Sequence, residues 1–216
     1  MHPVLLSASY LGPIAYYSVM LHAGQVLLEQ CDHYRKQTYR NRCTLLAANG
    51  PLDLVVPVLK RSGEKQRMSD VRIDYATRWP AIHWQSVCSA YNTSPFFAYY
   101  ADDLAPFYLR KERYIFLLDF LTGLNAFVLD ALGVEINPLL TETFEREPVA
   151  TFDFRDRFHP KERTNNFGMA YEPVPYTQTF SSKFSFVPNL SILDLLFNVG
   201  PGSEDILLRQ VPSLNG

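Results

Sequence analysis

Asn49-Gly50-Pro51 stands between two aliphatic stretches, Thr44 to Ala48 and Leu52 to Leu59, and this commits the chain to at least one antiparallel pair of strands. Asn-Gly favours positive φ, which a tight hairpin turn needs, so the flanking stretches read as strands joined there. A purely parallel dinucleotide-binding fold is therefore disfavoured. Upstream, Val4 to Ser9 is a short apolar run closed by Gly12-Pro13, and Val26 to Glu29 is a second. Both have the length of buried strands. Between them Pro13 opens a helix with Tyr16, Tyr17, Met20 and Leu21 on one face, ended by Gly24.

Downstream, Arg61 to Ser69 is charged and lacks an apolar period, so it reads as an exposed loop. Val71 to Tyr75 alternates apolar and polar, as a half-buried strand does. Trp79-Pro80 opens a helix that Ser94-Pro95 stops. Glu112 to Leu132 is the longest helical pattern, with Leu117, Leu121, Leu124, Val128 and Ala131 on one stripe, Gly123 as a candidate kink and Gly133 as its end. Glu145 to Val187 contains Pro148, Pro160, Pro173 and Pro175 and is expected to be a long irregular loop. Ser191-Ile192-Leu193-Asp194 matches a capping box, which makes Asp194 structural, and Ser203 caps a last helix. The expected fold is a single α/β domain spanning 1–216, with a mixed sheet from the N-terminal third and helices from the middle and C-terminal segments packed on it.

Composition narrows the function. Lys plus Arg number 20 against 22 Asp plus Glu, a formal net charge of −2, whereas nucleic-acid binders are usually basic. No nucleic-acid partner is expected. Cys31, Cys43 and Cys88 are odd in number and have no C-x-x-C spacing, so they read as core thiols of a reducing compartment, not metal ligands or disulfides. The first residues lack a basic segment, and no apolar run approaches the roughly 20 residues that span a bilayer, so a cytoplasmic location is expected.

The chemistry-bearing residues concentrate in Cys31 to Arg42, CDHYRKQTYRNR, directly after a strand. Arg35, Lys36, Arg40 and Arg42 stand there beside Asp32, His33, Tyr34, Tyr39 and Asn41. Loops at strand ends gather ligands, and such cations suit phosphate or carboxylate. A solvated charged face would have the same composition, and both readings stay open. His83, beside Trp84, is a candidate base or a packing histidine. Asp102-Asp103 fits a helix end better than a metal site. The segment Asp153 to Lys161 interleaves rings with cations. G-x-G-x-x-G, Walker, G-x-S-x-G and H-E-x-x-H motifs are absent from the sequence, so no cofactor is assigned.

Tyr10-Leu11-Gly12-Pro13, Lys36 to Arg42, His83-Trp84 with Ser89-Ala90-Tyr91, Ser94-Pro95-Phe96-Phe97 and Pro188 to Asn198 together resemble the WbqC-like family over most of the chain. The resemblance implies a bacterial protein of surface-polysaccharide (O-antigen-type) biosynthesis, with a glycine transferase role proposed for some members. It suggests a sugar nucleotide or carrier-linked sugar as the ligand. Where members commonly carry Gln-Pro-Tyr after the first strand, this chain has Ala8-Ser9-Tyr10. An aminoacyl or acyl transferase acting on an activated amino sugar would use His33 or His83 as base. Lys36, Arg42 and Lys161 would hold phosphate, Asn41 the oxyanion or the substrate, and Trp84 with Tyr91 would form a stacking wall. The alternative is a non-catalytic module that binds a sugar nucleotide or a partner enzyme.

Overall fold

The structure is a computed structural model that describes residues 3–59, 65–110, 114–160 and 171–210. The two short apolar runs form β1 (Val4–Ser7) and β2 (Val26–Glu29), which pair in parallel, with Val4 opposite Val26 and Ser7 opposite Glu29. The crossover between them is α1 (Ile14–Leu21). Every residue from Ile14 to Met20 is buried, so this helix is enclosed on all sides and the expected single apolar face is too narrow. Two short strands complete the sheet, β5 (Leu139–Leu140) beside β2 and β6 (Phe152–Asp153) beside β1, in the order β5-β2-β1-β6. All three pairings are parallel. At two residues each, β5 and β6 are too short to leave a period in the sequence, and β6 arises within the stretch expected to be irregular.

The hairpin forms as β3 (Arg42–Ala47) and β4 (Gly50–Val55), with Gly50 at φ +112°. It is a sheet of its own, packed through β3 on α2 (Trp79–Tyr91) and α6 (Ile192–Val199). The expected α/β fold is therefore found, with its parallel and antiparallel pairings in separate sheets. Val71 to Tyr75 is an extended segment held by the isolated bridges Val58–Ile73 and Arg72–Phe116 instead of a ladder strand. Of the expected 61–69 loop, residues 61–64 lie outside the described residues, while Met68 is buried in a short 3-10 turn, Met68–Asp70.

The remaining helices are α3 (Phe97–Leu104), α4 (Pro106–Leu109), α5 (Leu117–Leu132) and α7 (Ser203–Arg209). α5 runs unbroken through Gly123, whose role is spatial: a Cβ there would lie 2.8 Å from the Tyr114 hydroxyl oxygen. Gly133, at φ +74°, supplies the left-handed residue that ends the helix. One hydrophobic cluster links the parallel sheet, the hairpin and the helices. No helix among the described residues is long and apolar enough to cross a membrane.

Two motifs far apart in sequence lock together at the start of α1. Asn189, at φ +53°, accepts a hydrogen bond from the Ala15 N–H on Oδ1 at 2.9 Å, a helix cap supplied from the other end of the chain. Such caps contribute about 1 kcal/mol. The Ser191 hydroxyl donates to the Leu11 carbonyl at 2.8 Å, and the Ser191 N–H donates to the Thr44 carbonyl. Ser191 does cap α6, accepting from the Leu193 N–H. Asp194, however, does not complete a capping box. Its Oδ2 accepts from the Tyr176 hydroxyl at 2.6 Å and from Gln178 Nε2 at 2.9 Å, which tethers the 171–187 segment to the core. Burial raises its pKa against those bonds. Asp194 is structural, through a long-range contact that its spacing from Ser191 does not reveal.

Candidate anion-binding site

The order β5-β2-β1-β6 creates a switch point. The chain steps outward from β1 to β2 and β5, then returns to the other side of β1 to form β6. Loops leaving the carboxyl ends of β1 and β6 therefore diverge, and in open parallel sheets that crevice is where ligands bind. Here it is walled by Ser7 at the end of β1 with Ala8 and Ser9 beyond it, and by Phe154, Arg155 and Phe158 after β6, with Tyr16, Thr38 and Arg40 closing it. It is narrow, holding about 20 Å³.

Two charge networks meet at this edge. Glu29, at the end of β2, accepts from the Cys31 and Asp32 N–H groups and from the Thr141 hydroxyl on Oε1, and from Arg155 Nη1 on Oε2. Arg155 also donates to Asp153 from Nε and Nη2, and to the carbonyls of Glu145 and Arg146. Its side-chain bonds to Asp153 hold its pKa up, and Arg155 in return holds the Asp153 carboxyl below the usual range.

The second network is incomplete. Arg40 is 4% exposed, yet its guanidinium makes no hydrogen bond to any described group, and Nη2 is wholly buried without a partner. Among the described residues it has two longer ion pairs, with Asp32 at 3.5 Å and Asp156 at 3.9 Å. Burial pulls its pKa down, with Asp156 and Asp32 opposing. Asp156 is itself half-exposed and is drawn outward by Arg35 Nη1 at 2.6 Å. A buried cation with unfilled donors at a ligand-binding edge is the chemistry of an anion site.

The candidates named from sequence separate into distinct places. His33 and Lys36 lie exposed on the loop after β2; the His33 N–H donates to Asp32 Oδ1 at 2.7 Å. Asn41 is buried and its amide donates to the Val56 carbonyl at 2.8 Å, tying the loop to the hairpin. Arg42, first in β3, faces Asp53 of β4 at 3.6 Å. His83 is buried on α2, with Nδ1 2.9 Å from the Tyr10 hydroxyl, a further bond to the Val55 backbone, and its pKa lowered by burial to about 4. Trp84 stacks on Phe97 and Tyr108, whereas Tyr91 is fully buried against Phe197 and accepts from the Leu46 N–H, so these two rings do not form one wall. Lys161 lies outside the described residues. Cys43 is a buried thiol, Cys31 and Cys88 are half-buried, and all three are free.

Sequence reading missed the contributions of Glu29, Ser7 and Thr38 and did not single out Arg40 from its neighbours. Glu29 carries a signal, a carboxylate ending an otherwise aliphatic strand. Arg40 carries none, because its burial depends on β6 folding beside β1.

The chain is 24% identical over 225 residues to an uncharacterised protein of Mycobacterium tuberculosis, the match covering 94% of this chain and 96% of the relative. No solved structure matches it. The family description that matches, over residues 8–151 and 151–206, is that of the WbqC-like proteins, and those two segments take in both loops that wall the crevice. The chain belongs to the WbqC-like protein family.

Proposed function

We propose that this chain binds a phosphate-bearing sugar, a sugar nucleotide or carrier-linked sugar, at the carboxyl end of its parallel sheet. We further propose that it transfers an aminoacyl or acyl group from an activated acyl donor to the amine of that sugar in surface-polysaccharide assembly, the bond to the donor's carrier breaking and the carrier leaving as the amide forms. The observation that supports the binding step is Arg40, whose buried guanidinium has no hydrogen bond to a described group at the switch point. A phosphate oxygen there would fill donors that Asp32 and Asp156 reach only at 3.5 and 3.9 Å. Because the crevice holds only about 20 Å³, entry requires the turn that carries Asp156 to swing outward. Lys36, exposed on the neighbouring loop, adds a cation on the approach side.

The transfer step draws on the family resemblance and needs a base to free the amine. His33 is the base in this reading, since its ring is exposed beside Asp32, whereas His83 is enclosed by Tyr10 and Val55. That enclosure also favours a second reading, in which the same site binds the sugar phosphate without chemistry. A thermal-shift and calorimetric titration with sugar nucleotides, a nucleoside diphosphate and inorganic phosphate separates them. The expected result is a melting-temperature rise with at least one phosphate ligand, lost in Arg40→Met. Absence of binding by any phosphate compound would overturn the proposal. Binding together with transfer that disappears in His33→Ala supports the enzyme, and binding without turnover in the unaltered protein supports the module.

A further inference from the structure

A second cleft lies on the opposite flank of β2, between α5 and the stretch that leads from Gly133 into β5. It has a volume of about 540 Å³, within the range that holds small molecules, and shares no residue with the crevice at Arg40. Leu28, Leu129 and Val134 give it an apolar floor, and Asp130 and Glu135 stand among its polar groups. Among the described residues, no Lys, Arg or His lines it.

Asn125 distinguishes this cleft from an ordinary surface groove. The other buried residues of α5 are all Leu, Phe or Val, and Asn125 interrupts that stripe. It is 6% exposed, its Oδ1 is wholly buried without a partner, and no described group hydrogen-bonds its amide. An unsatisfied buried polar group costs about 1–3 kcal/mol, so a leucine would serve the fold better. Asn125 lines the cleft, and a half-turn of its terminal torsion exchanges the buried, unpartnered oxygen with the amide nitrogen, so either group is available to an occupant.

We infer that this cleft is a binding site for a small ligand with an apolar body and a neutral or cationic N–H donor group, an amide or amidine, read by Asn125 with Asp130 and Glu135 at the rim. Anions are disfavoured by the two carboxylates, with no lining cation among the described residues. The site is independent of the phosphate crevice, and its ligand can be a second substrate or an effector.

Three matched probes test this in protein-observed NMR at millimolar concentration: benzamidine, benzamide and benzoate share one apolar body and differ in charge. Benzamidine and benzamide are expected to shift resonances of α5 and of residues 134–140, and benzoate to bind at least about tenfold more weakly. Asn125→Leu is expected to lose the binding while melting at the same temperature or higher. Ala126→Phe fills the cleft from its exposed rim without altering the core and should block the same probes. Arg40→Met should leave them unaffected. Equal or tighter binding of benzoate, unchanged binding in both cleft variants, or no response to any probe overturns the inference.

Discussion

Arg155 and Arg40 both reach the carboxyl edge of the parallel sheet, 7% and 4% exposed. Arg155 is bonded through Nε, Nη1 and Nη2 to two carboxylates and two backbone carbonyls, and its pKa is raised. Arg40, on the loop that follows β2, has no hydrogen bond from its guanidinium to a described group, and its pKa is lowered. Burial alone therefore does not separate a structural cation from a binding one. The two differ in how far their donors are filled: Arg155 ties β2, β6 and the 145–146 turn together, while the Arg40 guanidinium has donors without a described partner.

Replacement of each arginine is the strongest test of that contrast. Arg155→Met is expected to cost about 3–5 kcal/mol in urea unfolding, because Glu29 is left charged and buried without its counter-ion. Arg40→Met should cost less than half of that, since Asp32 keeps Arg35 and the His33 N–H. If the two variants lose equal stability, Arg40 is as structural as Arg155 and the contrast fails.

Acid unfolding sharpens it with the sign fixed in advance. His83 has a depressed pKa, so the unfolded chain takes up a proton first, and about 3 kcal/mol of stability is lost as pH falls from 6.5 to about 4. Asp153 is also depressed, through Arg155, so its contribution is present above the unfolded carboxylate value and lost as pH falls below it. Stability measured against pH should show both losses in the unaltered protein. The His83 step should vanish in His83→Gln, the lower step should shrink in Arg155→Met, and neither should change in Arg40→Met.

Ligand affinity gives the next effect. Arg40→Met should weaken phosphate binding at least about tenfold, equivalent to about 1.4 kcal/mol. The smallest expected effect is a gain: Asp156→Asn removes the internal carboxylate that competes for Arg40 and Arg35 and should tighten phosphate binding by a factor of about two to five. Weaker binding in Asp156→Asn would mean that Asp156 positions the arginines instead of blocking them.

Much of the scaffold was legible because its signals are local. The hairpin follows from Asn49-Gly50 between aliphatic runs, β1 and β2 from their length and apolarity, α2 from Trp79-Pro80, and the end of α5 from Gly133. The polar run Cys31 to Arg42 was identifiable as the stretch that carries charge to a strand end. Local signals do not state which strands pair, and β5 and β6 are too short to produce one. Tertiary structure alone decided that the strand pairings divide into two sheets, that Asn189 caps a helix at the far end of the chain, and that Asp194 serves Tyr176 and Gln178. It also decided which arginine of the run is buried. Arg35, Arg40 and Arg42 are alike in type, and β6 closing beside β1 encloses Arg40 between Asp32 and Asp156 while Arg35 stays in solvent and Arg42 turns to Asp53. Sequence fixes where charge is available; which charge loses its water depends on contacts between segments more than a hundred residues apart.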